Sequence, residues 1–289
     1  PFVYAGYTIF VAEVPSTLAP DPSSVDDGVS ESPAQPSMES AASPASARPA
    51  SPATAVRPLT FWRQIRSVER RFEFAFADTD STGRPTTCVV TVHKHILGTF
   101  NLLVGDEVPE GNPPSAHVIK KPLVDNAVRR VLLRRVRVDG PNFERSAWRV
   151  VATSGVRITS RDAQTHIESL RIQSGALDTT ITEPLAFFRL RRMIQLDPQA
   201  DVTLTATTLR NDDVTLLYLA DRRVRFQNNG DNTYSITIRV PDRDGLHHVG
   251  VNALSNGTLF DDQAPYDSQS WIEPFIVHPL VLAADTPLD

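Results

Sequence analysis

The sequence predicts a mainly β protein: an antiparallel β-rich N-terminal unit, then a β-sandwich, both behind a disordered linker. Three observations carry this expectation. Short runs in which apolar and polar side chains alternate recur from Phe72 onward, rich in Val, Ile, Thr, Phe and Tyr. Clusters of Asn, Asp, Gly and Ser separate them, the densest being Asn228-Asn229-Gly230-Asp231-Asn232 between RRVRFQ and TYSITI, which predicts a β-hairpin. Residues 16–57 hold nine Ala, ten Ser and seven Pro with almost no large apolar side chain, so they cannot bury enough surface to offset their ordering entropy.

At 289 residues and 40% hydrophobic content the chain can bury at least one core, and two globular units plus a tail are expected. The net charge of -5 hides an uneven distribution. Residues 1–56 carry one basic against six acidic residues, 57–200 carry 22 against 15, and 201–289 carry 6 against 13. A basic middle facing an acidic end favours docking between them, within a screening length of about 8 Å. Of the 29 basic residues only Lys94, Lys120 and Lys121 are lysines, a bias that fits GC-rich codon usage better than nucleic-acid binding. The single cysteine, Cys88, excludes an intramolecular disulfide and a cysteine-based zinc cage, and in TTCVVTV it reads as a small buried strand residue.

In chain order, residues 1–15 (PFVYAGYTIFVAEVP) read as the remnant of an export signal or anchor, or as a strand through Val3, Tyr7, Ile9 and Val11 that docks on the body. Residues 16–57 read as a Pro/Ser/Ala linker that holds the folded part away from a membrane or wall, or equally as an unstructured tail with no spacer role.

The first unit is expected over 58–198. Phe72-Glu73-Phe74-Ala75-Phe76 and Thr87 to His93 alternate about the turn Asp78 to Pro85, which predicts a hairpin. The turn DTDSTG resembles the opening of a calcium loop, with Asp78 and Asp80 two apart and Gly83 at the bend. The twelfth position, however, is Val89 where such a loop needs a bidentate Glu. His93 and His95 share one strand face, a spacing that presents two imidazoles to a transition metal, with His117, His166, Glu168 or His247-His248 as the third ligand. Gly105 to Pro114 reads as a loop. AVRRVLLRRVRVDG then places Arg129, Arg130, Arg134, Arg135 and Arg137 close together, a candidate face for phosphates, headgroups or acidic glycans. Its apolar spacing fits both a helix and a strand. AWRVVAT, GVRITS and HIESLRIQS read as a meander turning at Thr153-Ser154-Gly155 and Ser160 to Ala163. EPLAFFRLRRMIQL reads as a short amphipathic helix or a closing strand that ends the unit at Asp197-Pro198.

The second unit is expected over 199–282, with 283–289 a tail. ADVTLTATTLR, DVTLLYLAD, RVRFQN, TYSITIRV, HHVGVNAL and PFIVHPL have about the spacing of a seven-strand sandwich. Through the order of these strands, the NNGDNTYS turn and DGLHHVGVNAL, this region resembles the immunoglobulin-like and fibronectin-III-like modules of bacterial secreted and surface proteins. The resemblance implies a spacer, stalk or binding role; the Cys, Trp, Cys core of antibody domains is missing. In the loop SNGTLFDDQAPYDSQSW, Asp261, Asp262, Tyr266, Asp267 and Trp271 are the ingredients of a calcium or sugar site, or equally of a loop pinned by its aromatics.

No GxSxG, HExxH, phosphate-loop or dinucleotide pattern occurs. The function expected is an exported bacterial envelope or extracellular structural and interaction module, without catalysis. Its partners would be other envelope proteins or surface polymers, not nucleic acid, and its N-terminus would supply a membrane tether. No cofactor is expected, calcium being the one the turns suggest. The rival readings are a carbohydrate-active or metal-dependent hydrolase using Asp78, Asp80, His93 and His95, and an anionic-glycan binder using the arginines.

Overall fold

Residues 16–17, 55–105, 116–140, 143–189, 192–219 and 222–277 are described by a computed structural model. The expected N-terminal strand or anchor at 1–15, nearly all of the linker, the loop at 106–115 and the tail at 283–289 lie outside the described residues. The protein is mainly β, with antiparallel sheets, as the alternating runs predict.

Two sheets are built among the described residues. The larger begins with a two-residue strand β1 (Ser16–Thr17) on the edge of β2 (Arg57–Thr79), and continues through β3 (Pro85–Gly105), β4 (Ala116–Gly140) and β5 (Phe143–Ser160). These four long strands form an antiparallel meander. The smaller sheet contains β6 (Ile167–Ser174) and β7 (Leu177–Ile181). Short β8 (Phe188–Arg189) and β9 (Ile194–Leu196) return to the large sheet, on β5 and on the last strand. β10 (Asp201–Thr208) joins β6; β11 (Val214–Leu219) and β12 (Arg222–Arg225) lie at the far edge of the large sheet. β13 (Gln227–Asn228) and β14 (Thr233–Arg239) complete the small one, and β15 (Gly245–Leu254), the helix α1 (Asn256–Phe260) and β16 (Ser268–Val277) end the described chain. The large sheet runs β1-β2-β3-β4-β5-β16-β15-β11-β12 and the small one β13-β14-β10-β6-β7.

The strands before and after residue 198 share both sheets: β5 pairs with β16, and β6 pairs with β10. The boundary expected at 198/199 therefore does not separate two sheets, because the apolar faces on either side of it complete each other. The Asn228–Asn232 turn is present, with Gly230 at φ +87° and Asn232 at φ +65°, and it joins β13 to β14. The run before it is not one strand, however. Arg222–Arg225 pairs with β11 in the large sheet, Phe226 is buried, and only Gln227–Asn228 pairs with β14. The Arg-rich run is strand, since each of its residues pairs with β3 or β5. The turn expected at Thr153-Ser154-Gly155 is absent, and β5 passes straight through it. EPLAFFRLRRMIQL forms no α-helix among its described residues; β8 and β9 take its place.

Two cores result. One lies between the small sheet and one face of β11, β15 and β16, with Leu170, Leu204, Tyr234, Leu217, Val251 and Trp271 among its residues. The other lies on the opposite face of the same three strands, where Leu216, Tyr218, Leu254 and Ile272 meet Phe61, Phe100, Leu102 and Leu123 of the meander. Every residue of β16 is buried, as expected of a strand covered on both faces. For β2 and β11 to share a core, the large sheet must curl until its edges face each other. They do: the Arg223 guanidinium of β12 lies 5.2 Å from the Phe61 ring of β2, and Arg63 of β2 donates to Asn252 Oδ1 of β15 at 3.1 Å. The result is an open barrel sharing a wall with a sandwich.

Candidate ligand-binding trough

The site begins with the length of the strands. β2 to β5 are 23, 21, 25 and 18 residues long, far beyond what the barrel core covers, so their outer halves project as a four-stranded ribbon. Strand alternation and the register decide which side chains share the ribbon's inner face. Successive rows across β2, β3 and β4 are Phe76–Cys88–Leu133, Phe74–Val90–Val131, Phe72–Val92–Arg129, Arg70–Lys94–Ala127 and Val68–Ile96–Asp125. β5 continues all five, with Val150, Thr153, Val156, Ile158 and Ser160.

A β-bulge aims this face. Between Ile65 and Ser67, β2 holds one extra residue against β3, and the strand bends there. Opposite the bulge is Gly98, where a Cβ would lie 2.3 Å from the Gln64 carbonyl oxygen. Two further irregularities on β5 curl the other wall. Two strands separate β2 from β5, about 14 Å across a flat sheet, yet the Phe76 and Trp148 rings are 6.0 Å apart. The ribbon is therefore a trough, its floor formed by buried Cys88 and Val90 and its walls by aromatics.

Those walls are open. Phe72, Phe74 and Phe76 are 53%, 60% and 59% exposed and Trp148 is 40% exposed, all on the inner face. Where the trough meets the barrel, a cleft of about 620 Å³, open solvent included, is lined by Ile65, Val68, Val92, Ile96, Val156, Ile158 and Ile272 together with Arg70, Lys94 and Arg129. Burial pulls the Lys94 ammonium down to about 8, aided by the positive charges of Arg70 and Arg129. Arg129 is buried and donates to Thr153 Oγ1 through Nε (3.1 Å) and Nη2 (2.9 Å). His248 of β15 is pushed down to about 4 by burial, then by Arg129 and His247, so it stays neutral there.

Of the residues singled out in the sequence, Arg129, Arg135 and Cys88 lie on the inner face of the ribbon, and the others fall elsewhere. Asp80 closes the β2–β3 turn: its Oδ1 accepts from Thr82 N (2.9 Å), Thr82 Oγ1 (2.6 Å) and Arg84 N (3.0 Å), and Arg135 pairs with its other oxygen. These bonds hold its carboxyl down at about 2. Asp78 accepts from Thr87 Oγ1 at 2.8 Å. His93 and His95 do share a face, with His93 Nε2 3.4 Å from Glu73 and His95 Nδ1 3.0 Å from Asn126 Oδ1. Among the described residues no three His, Cys, Asp or Glu side chains gather as metal ligands.

The arginines do not form one face. Alternation turns Arg129 and Arg135 inward and Arg130 and Arg134 outward, where Arg130 stacks 4.8 Å from the Phe187 ring; the Arg137 side chain lies outside the described residues. In the 255–271 loop Trp271 is core, Tyr266 stacks on Phe100 at 5.1 Å, and Asp261 Oδ1 accepts from Gln263 N and Ala264 N. Asp262, beside it, acts with Asp261 on the Lys121 ammonium. Asp267 is buried and binds Gln164 N, Thr165 N and Thr165 Oγ1. The loop is thus pinned by its own aromatics and carboxylates.

The trough was missed in the sequence because the period-two signal of FEFAF says which residues share a face, not whether that face is covered. No family model matches the chain, and no curated protein or solved structure is significantly similar to it.

Proposed function

We propose that the chain is a non-catalytic binding module of the cell exterior whose working surface is the trough, where it takes up an apolar ligand of small-molecule size. The observation that supports this most strongly is the row Phe72, Phe74, Phe76: three large aromatics stay more than half exposed on a concave face instead of entering either core. Being little more than half exposed, each forgoes about 1–2 kcal/mol relative to full burial, and a ligand recovers that energy. The cleft at the root of the trough adds a mostly apolar lining, Ile65, Val68, Val92, Ile96, Val156 and Ile158, of the kind small-molecule sites use. Support for an exterior location comes from composition: a Pro/Ser/Ala linker of the kind that holds a domain away from a membrane or wall. Its envelope partners would be reached through that linker.

The test is a titration with Nile red, a neutral apolar dye. The native protein should bind it saturably, with a thermal transition that rises with dye concentration. The triple variant Phe72→Ser, Phe74→Ser, Phe76→Ser should fold normally and bind at least tenfold more weakly. Equal dye binding by both proteins would reject the reading.

A further inference from the structure

We infer that residues 1–15 add to the open edge of β2 as the outermost strand of the large sheet, antiparallel to it, from Pro15 beside Trp62 to Phe2 beside Phe76. The edge of β2 is then a docking surface for a segment of the same chain. This does not depend on the trough taking a ligand.

The edge itself is the first observation. β2 pairs with β3 along its length, but on its other side the described residues supply only β1, opposite Thr60 and Phe61. Every second residue of an antiparallel strand turns both its N–H and its C=O to the same side, so from Trp62 to Ala77 a long row of backbone groups points outward. Such an edge templates another strand unless charges, prolines or a bulge blunt it. The bulge between Ile65 and Ser67 and the charges of Arg66, Glu69, Arg70 and Arg71 guard its first half. From Phe72 to Ala77 the only charge is Glu73, set among three phenylalanines that are more than half exposed.

β1 decides which strand takes this edge. Ser16 is opposite Phe61 and Thr17 opposite Thr60, in antiparallel pairing. In that direction the chain before Ser16 advances along β2 toward Phe76, with Pro15 meeting Trp62 and Glu13 meeting Gln64. On the β3 side of β2, Arg66 has no partner and the register moves by one residue. The same step on the open side brings Val11 to Ser67, Phe10 to Val68, Tyr4 to Phe74 and Phe2 to Phe76. The segment thus has a residue for every paired position of β2 out to the last phenylalanine, and aromatic pairs across strands add to the backbone bonds.

Composition agrees with this placement. Residues 1–15 are rich in Val, Ile, Phe and Tyr, and Glu13 is their one charged side chain. Opposite Gln64, Glu13 lies diagonal to the exposed Arg66. Pro15 has no N–H to give, which an outermost strand tolerates because its far edge faces solvent. The linker after Thr17 holds almost no large apolar side chain and offers nothing to set beside phenylalanines.

The test is amide hydrogen exchange, read by NMR on the full chain. The amides of β2 between Arg70 and Phe76 that do not bond β3 should exchange at least tenfold more slowly in the native protein than in the variant Tyr7→Pro, Thr8→Pro. Of two consecutive N–H groups one always faces β2, so this pair of prolines removes a donor whichever it is. Amides bonded to β3 should exchange equally in both proteins, and tenfold dilution should leave the protection unchanged. Under mild oxidation Glu13→Cys, Gln64→Cys should form a disulfide within one chain, and the pair Val11→Cys, Gln64→Cys should not. Fast exchange of the edge amides in the native protein would show that the edge is open and overturn the inference. Protection that survives the prolines, or fades on dilution, would give the edge to a second copy and overturn it equally. Equal cross-linking of the two cysteine pairs would overturn the register.

Discussion

Glu273 is the residue whose chemistry conflicts most with its surroundings. It sits on β16 at 1% exposure, and neither carboxyl oxygen has a hydrogen-bond partner. It lies over Gly155, where a Cβ would come within 2.5 Å of one of its oxygens and 2.7 Å of the Ile272 carbonyl, so only glycine fits beneath it. Burial, followed by the Glu183 carboxylate, pushes it up to about 9. The folded protein thus keeps its proton where the unfolded chain, near the ordinary glutamate value, has lost it. Between about pH 4.5 and pH 9 the unfolded state binds fewer protons, so stability falls as pH rises across that window. Glu273→Gln removes the ionisation, and urea unfolding should show the variant roughly 1–3 kcal/mol more stable than the native protein near pH 8, with the two converging near pH 5. Parallel stability curves across that range would contradict this account of Glu273.

Among the elements, the β2–β3 pair decides whether a trough exists. Its bulge at Arg66 and the glycine opposite it turn the ribbon's inner face toward the barrel mouth. Gly98→Ala forces a Cβ against the Gln64 carbonyl, a backbone atom that cannot move cheaply. It should destabilise the protein by about 1–3 kcal/mol and weaken Nile red binding, as read by denaturation and dye titration. A fully stable variant with native dye affinity would show that the bulge does not set the curvature. The β-strands themselves were legible in the sequence, because alternation and turn chemistry are local. FEFAF, TTCVVTV, DVTLTATT and TYSITI all form strands. What local pattern could not carry was length and continuity. Thr153-Ser154-Gly155 has turn composition but forms strand, since Gly155 is needed for the close approach of Glu273 rather than for a reversal. RRVRFQN reads as one run but divides between two sheets at Phe226, and that division depends on partners the run does not contain.

For the whole molecule the organising feature is closure of the curled sheet. Asn252 is fully buried: its amide donates to Ser268 Oγ (2.7 Å), Ser270 Oγ (2.8 Å) and Gln269 O (3.2 Å), and its oxygen accepts from Arg63. Arg63 also lies 5.7 Å from the Tyr266 ring, while Arg223 bridges Phe61 and Tyr218. Arg63 and Asn252 are 189 residues apart, so neither strand's sequence announces the other. This is also why two separate units were expected: the charge asymmetry along the chain is real, but the acidic and basic segments are interleaved in the same sheets. Asn252→Ala leaves the Arg63 guanidinium and two serine hydroxyls short of a partner inside the barrel, and should cost about 2–4 kcal/mol in a single cooperative transition. Two resolved transitions, with only one shifted, would contradict the shared wall.

The trough as a ligand site is the central claim, and Trp148 reports on it directly. Titration with a bromoalkane, an apolar quencher, should quench tryptophan fluorescence in the native protein, and the quenching should disappear in Trp148→Phe. Quenching that persists unchanged in Trp148→Phe would place the quencher beside another tryptophan and contradict the account.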